Sequence, residues 1–199
     1  MFKGTSASAG IGIGKAVIVE EAELVITRNE VADAEAEIQR FKGALEKTIA
    51  ATQKMADDLA SRVGEKEAEI MQGHMMLLSD PMLTGEIENS VKNDKVNCEF
   101  AIENVCNMYA DMFASMGDEL MQQRATDMRD IKVRMQRTLM GLESVDVSLL
   151  PKGSILVAKD LPPSMTAGIN PENVSGIVTE LGGKTSHSAI LARALEIPA

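Results

Sequence analysis

Tryptophan is absent from this chain, and one Tyr and four Phe bring the aromatic share to only 3%. That scarcity removes the stacking platforms on which single-strand nucleic-acid binders rely. No apolar run approaches the roughly 18 residues of a membrane-spanning helix. The start, Met1-Phe2-Lys3-Gly4-Thr5, has no apolar stretch of signal-peptide length, so a soluble, cytoplasmic chain is expected. Basic residues are in deficit: 20 Lys and Arg against 30 Asp and Glu leave a net charge of −10. This argues against nucleic-acid binding and fits a basic protein partner, although the same charge also serves solubility. Cysteine is limited to Cys98 and Cys106, eight apart in a segment that reads as helix. Their Cα atoms would lie about 12 Å apart, beyond the roughly 7 Å limit for a disulfide, so both are expected as free thiols. Histidine is limited to His74 and His187, far apart in sequence and in different zones from one another, which leaves no zinc set and no metal site. Methionine, by contrast, occurs 14 times and points to an adaptable helical core.

Three zones follow along the 199 residues. Residues 1–25 are rich in Gly and β-branched side chains, with Ile11-Gly12-Ile13-Gly14-Lys15 reading as a turn and Ala16-Val17-Ile18-Val19 as a strand. Residues 29–143 contain one proline, Pro81, and their apolar side chains recur at helical spacing. The spacing predicts a first helix capped by Asn29 and stopped at Gly64, and a second from Glu65 to Leu78. A shorter one is expected from Leu83 to about Lys92, then long helices from about Val96 to Met116 and from Gly117-Asp118 to about Met140. On these last two, Cys98, Ile102, Val105, Tyr109, Met112 and Met116, and then Leu120, Met128, Ile131, Met135 and Leu139, form the expected inward faces. Residues 150–199 return to α/β alternation: strands at Ser154–Ala158 and Val174–Thr179, a short helix after Pro162-Pro163, and a helix from Ser188 to Leu195. The fold class is therefore α/β plus all-α, a discontinuous α/β domain with a helical bundle inserted into it. About four strands are legible, and the α/β domain is expected to be truncated at its C-terminal end.

The chemistry concentrates in Thr179-Glu180-Leu181-Gly182-Gly183-Lys184-Thr185-Ser186-His187-Ser188, between a strand and a helix. Such junctions are where α/β proteins hold ligands. Gly182 and Gly183 allow close approach of anionic oxygens to main-chain N–H groups, and Thr185 or Ser186 can cap the helix that follows. The helix start favours an anion beside His187, whose neutral imidazole is a competent nucleophile and whose phosphorylated nitrogen is labile enough to pass the group on. The Gly-Lys-Thr ending is no P-loop, because Val178 stands where a Walker loop requires glycine. From the residues alone, His187 reads either as a nucleophile or as a hydrogen-bonded helix-start residue. His74 reads as a surface or interhelical histidine.

The run from Gly182 to Arg193, followed by Ile197-Pro198-Ala199, resembles the phosphohistidine signature of the phosphoenolpyruvate-utilising enzymes. Pyruvate phosphate dikinase, phosphoenolpyruvate synthase and Enzyme I of the sugar phosphotransferase system share it. Gly10–Ala16, Gly73–Asp80 and Arg124–Ile131 resemble the Enzyme I branch, as does a helical domain inserted after the first strands; the other two place an ATP-grasp domain ahead. The resemblance implies a swivelling phosphohistidine domain in which His187 takes a phosphoryl group from phosphoenolpyruvate and passes it to the phosphocarrier HPr during sugar uptake. It implies that Thr166 orients the imidazole and that Gly183, Thr185 and Ser186 steady the phosphoryl group. His74, Met76, Leu77, Asp80 and Arg124 match the HPr contact surface, with Glu65 and Asp80 meeting basic residues of the carrier. No cofactor is expected within this stretch. Phosphoenolpyruvate and Mg²⁺ belong to a C-terminal barrel that also makes the full-length enzyme a homodimer, so the stretch alone is expected to be monomeric and at most to exchange phosphoryl with HPr. Two other readings remain open here: a non-catalytic partner-docking module, and the swivelling domain of a dikinase-type enzyme.

Overall fold

The computed structural model describes residues 4–199; the first three positions of the chain start discussed above, Met1 to Lys3, lie outside the described residues. The elements in order are β1 (Lys15–Val19), α1 (Ala34–Arg62), α2 (Glu65–Leu78), α3 (Pro81–Asp94), α4 (Cys98–Ser115), α5 (Glu119–Met140), β2 (Ser154–Ala158), α6 (Pro163–Ala167), β3 (Val174–Thr179) and α7 (His187–Ala194). They form two compact units. One holds the chain up to Ala22, Met55–Ile70 and Val145–Ala199; the other holds Glu23–Lys54 and Met71–Ser144.

The first unit is built on a three-stranded sheet in the order β1-β2-β3, all parallel. Three strands are present among the described residues where about four were expected. β1 pairs with β2 from Lys15 against Ser154 to Val19 against Ala158. Along β2, Ser154, Leu156 and Ala158 are buried while Ile155 and Val157 are half-buried, the alternation of a sheet packed more closely on one face. Leu156, Ile169, Val174, Ile177, Leu161 and Ala192 are the heart of the core, which brings α7 onto the sheet. The tip of the α1–α2 hairpin is pinned to α6: Arg62 donates to Ala167 O at 2.5 Å and Ile169 O at 2.8 Å. Gly64, at φ +147°, ends α1 where a stop was expected, with its N–H reaching back to Leu59 O.

In the second unit α2 has the expected bounds, but α1 begins five residues after the expected cap. Asn29 does not cap it. Its N–H donates to Asn97 Oδ1 and its carbonyl accepts from Asn97 N–H, while Val31 N–H donates to Lys95 O, so residues 29–31 run antiparallel to 95–97. Asp33 takes over the cap, accepting from Ala36 N–H at 3.0 Å. α3 starts at Pro81, two residues before the expected Leu83, because Asp80 caps Met82 N–H at 2.8 Å and proline suits the first helical position. Phe41, Leu78, Ile87, Ile102, Met128 and Ile131 centre the core. The apolar stripes outrun it: Met112 and Met116 at the end of α4 and Leu120 at the start of α5, all expected inside, are exposed.

Cys98 and Cys106 are free, buried thiols, both pushed up to about 12, chiefly by burial. Beside Cys98, Arg40 bridges Glu37 at 2.6 Å and Glu99 at 2.8 Å, joining α1 to α4. The Arg40 hydrogen bond holds the Glu37 carboxyl below its ordinary value. Burial alone would raise Glu99, but hydrogen bonds from Arg40, from its own backbone N–H and from Asn97 outweigh it and lower it too. Carboxylates depressed in the folded state contribute stability that is present above the unfolded value and is lost as pH falls through the folded one. The urea midpoint should therefore fall between about pH 6 and pH 3, and Arg40→Ala should flatten that fall; identical acid slopes in the two proteins would remove this pair of carboxylates from the linkage.

Candidate active site

β3 ends at Thr179, and the chain keeps contact with the end of β2 through Glu180 N–H to Ala158 O and Leu181 N–H to Lys159 O. It then turns at Gly182, whose φ of +106° is a conformation that side-chain-bearing residues rarely adopt. Ser186 closes the turn and opens α7. Its Oγ donates to Gly183 O at 2.9 Å, accepts from Ala189 N–H at 3.2 Å and lies 2.9 Å from Ser188 Oγ. Arg193, one face of α7 further on, reaches back to hold Lys184 O at 2.9 Å and Ala7 O at 3.0 Å. The turn is thus fastened at both ends, and His187 becomes the first residue of α7, half-buried.

That position places the imidazole in the first turn of a helix, where unpaired N–H groups and the helix dipole favour an added anion. Thr185 and Gly183 are exposed beside it, and open space surrounds the position a side chain would take on Gly183. Thr166 is buried on α6, which packs against α7; its hydroxyl donates to Pro163 O at 2.8 Å, so toward any further partner it is left as an acceptor. A cleft of about 650 Å³ runs beside the turn, walled by Ala7, Thr179, Gly182, Gly183, Ser186 and Ser188. His187 is not one of its walls. Among the described residues no group of three or more His, Cys, Asp or Glu is placed to hold a metal ion, and no helix is long and apolar enough to cross a membrane.

The residues expected on a partner surface fall into different settings. Glu65 is exposed at the start of α2 and belongs to the first unit; the other five belong to the second. Met76 is 75% exposed, Leu77 is half-buried against the helical core, and Asp80 is occupied in capping α3. Of the two readings of His74, surface or interhelical, the interhelical one holds: its ring is fully buried, so it does not lie on the partner surface where the resemblance put it. Nε2 lies 3.2 Å from Asp127 Oδ1 and Nδ1 3.9 Å from Asp130 Oδ2, a polar pocket that draws the ring between α2 and α5. Arg124 Nη1 in turn lies 3.4 Å from Asp127 Oδ2.

Several participants escaped the sequence reading. Asp127 stands three residues after Arg124, the spacing of facing side chains on a helix, and that signal was available. Met82, Met112, Met116 and Leu120 are exposed near the same helix ends as Met76, with Tyr109 of α4 raised by burial and by the nearby Glu86 and Asp80. Spacing marked Met112, Met116 and Leu120 as core, because a stripe does not reveal where the neighbouring helix stops.

With this geometry in hand, comparison with known proteins gives a consistent answer. A family described as PEP-utilising enzyme, N-terminal, matches residues 3–124, and another described as PEP-utilising enzyme, mobile domain, matches residues 150–199. The chain belongs to the phosphoenolpyruvate-utilising enzymes. It is 42% identical over its whole length to a phosphoenolpyruvate-protein phosphotransferase of Bacillus subtilis and 43% identical to one of Listeria monocytogenes, and it spans 35% of each. Among solved structures it resembles an Enzyme I protein solved by NMR, with a TM-score of 0.84 and 39% identity, covering 100% of this chain and 81% of that one. The N-terminal domain of a nitrogen-type Enzyme 1 aligns with a TM-score of 0.67 and 27% identity, covering 96% and 79%. The α/β plus helical-bundle arrangement read from the sequence is the arrangement found.

Ser186→Ala removes the cap that holds the turn and α7 together. It should destabilise the first unit by about 1 kcal/mol, read as a lower urea midpoint with unchanged slope. An unshifted midpoint would mean that Arg193 alone secures the turn.

Proposed function

We propose that this chain carries a phosphoryl group on His187 and exchanges it with the phosphocarrier HPr, which docks on the helical unit. The supporting observation is the place of His187 as the first residue of α7, directly after the Gly182–Ser186 turn. An imidazole there can attack phosphorus through a ring nitrogen lone pair while the incoming phosphoryl oxygens meet helix-start N–H groups. The P–N bond to the carrier's imidazole breaks as the P–N bond to His187 forms, and the proton released by the phosphorylated ring is matched by one taken up on the carrier's ring. Because both P–N bonds are of the same kind, the exchange is close to reversible. Thr166 acts as an orienting hydroxyl, and Gly183, Thr185 and Ser186 steady the transferred group.

Docking is supported by the exposed apolar side chains at the ends of α2, α3 and α4, namely Met76, Met82, Met112 and Met116, flexible side chains of the kind proteins use to meet partners. The net charge of −10 favours a carrier that is basic around its own histidine. In the full-length enzyme, loading of His187 from phosphoenolpyruvate with Mg²⁺ belongs to sequence outside this chain. Among the described residues no group of three or more His, Cys, Asp or Glu is placed to hold that ion. Sugar uptake, a cytoplasmic location and a monomeric state for this stretch complete the reading.

Incubation with radiolabelled phospho-HPr should leave an acid-labile, base-stable label on the chain, absent from His187→Ala. Label that persists in that variant would sink the assignment. Met76→Lys should reduce the rate of labelling about tenfold or more through weaker docking, leaving the stability of the adduct unchanged.

A further inference from the structure

α2 faces α5 at a point where α2 presents no side chain of its own. Gly73 is buried on α2, and a Cβ placed on it would lie 2.6 Å from Arg124 Nη1 of α5. The guanidinium therefore rests directly on the backbone of α2. From the other side it is held by Asp127, one turn along α5, at 3.4 Å. Asp127 is itself buried and its second oxygen faces His74 Nε2 at 3.2 Å. An ionised Asp127 accepts this bond from the Nε2–H tautomer of His74. Asp130 stands by the other ring nitrogen at 3.9 Å, and it also acts on Arg134 of α5, whose guanidinium is lowered by burial with Asp130 opposing.

Arg124 keeps 37% of its side chain exposed. Its guanidinium has five N–H donors, of which the bond to Asp127 uses one. Gly73 lies three and four positions before Met76 and Leu77, so the guanidinium is seated on α2 one turn from those side chains. A long, flexible arginine in water loses rotamer entropy when a partner orders it; one seated beforehand loses less.

We propose that Gly73, Asp127 and His74 are positioning residues: together they seat the Arg124 guanidinium on α2 as a preorganised donor for an oxygen acceptor on the docked phosphocarrier. None of the three touches the carrier. Gly73 supplies the space, Asp127 the hydrogen bond, and His74 fixes Asp127 from the interior. This rests on the docking reading above.

The experiment is a double-mutant cycle on this chain, with HPr binding measured by calorimetry and folding by thermal melts. Gly73→Ala is the informative variant, because alanine favours a helix interior over glycine and the atom it displaces is the far end of a flexible side chain. It should melt no lower than the unaltered chain yet bind HPr about fivefold more weakly. Arg124→Ala should weaken binding about tenfold, and the double variant should bind no worse than Arg124→Ala alone. Losses that multiply to about fiftyfold would show that Gly73 acts independently of Arg124 and overturn the proposal, as would full binding by either single variant. For the interior, His74→Gln keeps an N–H donor and should retain binding, whereas His74→Leu, matched for folding, should lose as much as Asp127→Asn; equal binding by the Gln and Leu variants would remove His74 from the device. A partner-free readout separates this from the docking reading. The Arg124 side-chain NMR resonances should be resolved in the unaltered chain and averaged in Gly73→Ala and Asp127→Asn. Resolved resonances with no HPr binding by the unaltered chain would overturn docking itself, and averaged resonances in the unaltered chain would overturn the seating of Arg124.

Discussion

The parallel ladder between β1 and β2 is the constraint from which the first unit follows. Lys15 lies against Ser154 and Val19 against Ala158 although the whole helical unit comes between them in sequence. A parallel pair cannot be closed by a tight turn, so the chain must leave the sheet and return in the same direction. Here the excursion is itself a folded body with its own core. β3 then adds to β2, with α6 as the crossover, and the chain emerges from β3 at the Gly182 turn.

The two units solve opposite problems. Around His187 the backbone does the work: a left-handed glycine, a serine cap and an arginine that grips carbonyls hold a helix start open to solvent with the imidazole on its first residue. In the helical unit side chains do the work. α5 buries Asp127, Asp130, Arg134, Gln136 and Arg137 alongside Met128, Ile131 and Met135, and much of that polar set is satisfied across helices: Arg134 on Thr52 at 2.7 Å, and Gln136 on Glu103 at 2.8 Å. Buried polar contacts of this kind specify one arrangement of helices where apolar packing alone would tolerate several. The methionines left outside have the opposite character and adapt to what they meet.

Much of this was legible in the sequence. α2, β2 and β3 fall where periodicity placed them, and Gly64 stops α1 because a glycine can take the left-handed turn that ends a helix. What could not be read depended on distant residues. Asn29 looks like a cap in isolation, but Asn97 captures it and the cap passes to Asp33. His74 reads as either a surface or an interhelical residue, and the two aspartates of α5 that hold it inside are what decide between them. Pro81 looks like a breaker, but follows a capping aspartate and so begins a helix. At the catalytic candidate the motif named the residues together; the grip of Arg193 on Lys184 and Ala7 is a long-range contact that no local pattern announces.

The β1–β2 pairing also sets an order of events during synthesis. Contacts in α3, α4 and α5 are between neighbours in sequence and form fast, whereas pairing Lys15 with Ser154 waits until the helical unit between them has been made. On a ribosome the helical body can therefore mature while the first strand has no partner. For that interval the stretch leading into Ala16-Val17-Ile18-Val19 is an unpaired, β-branched edge. Its protection rests on brevity and on the glycines and Lys15 that precede it, which weaken its tendency to pair with other chains before its own second strand arrives.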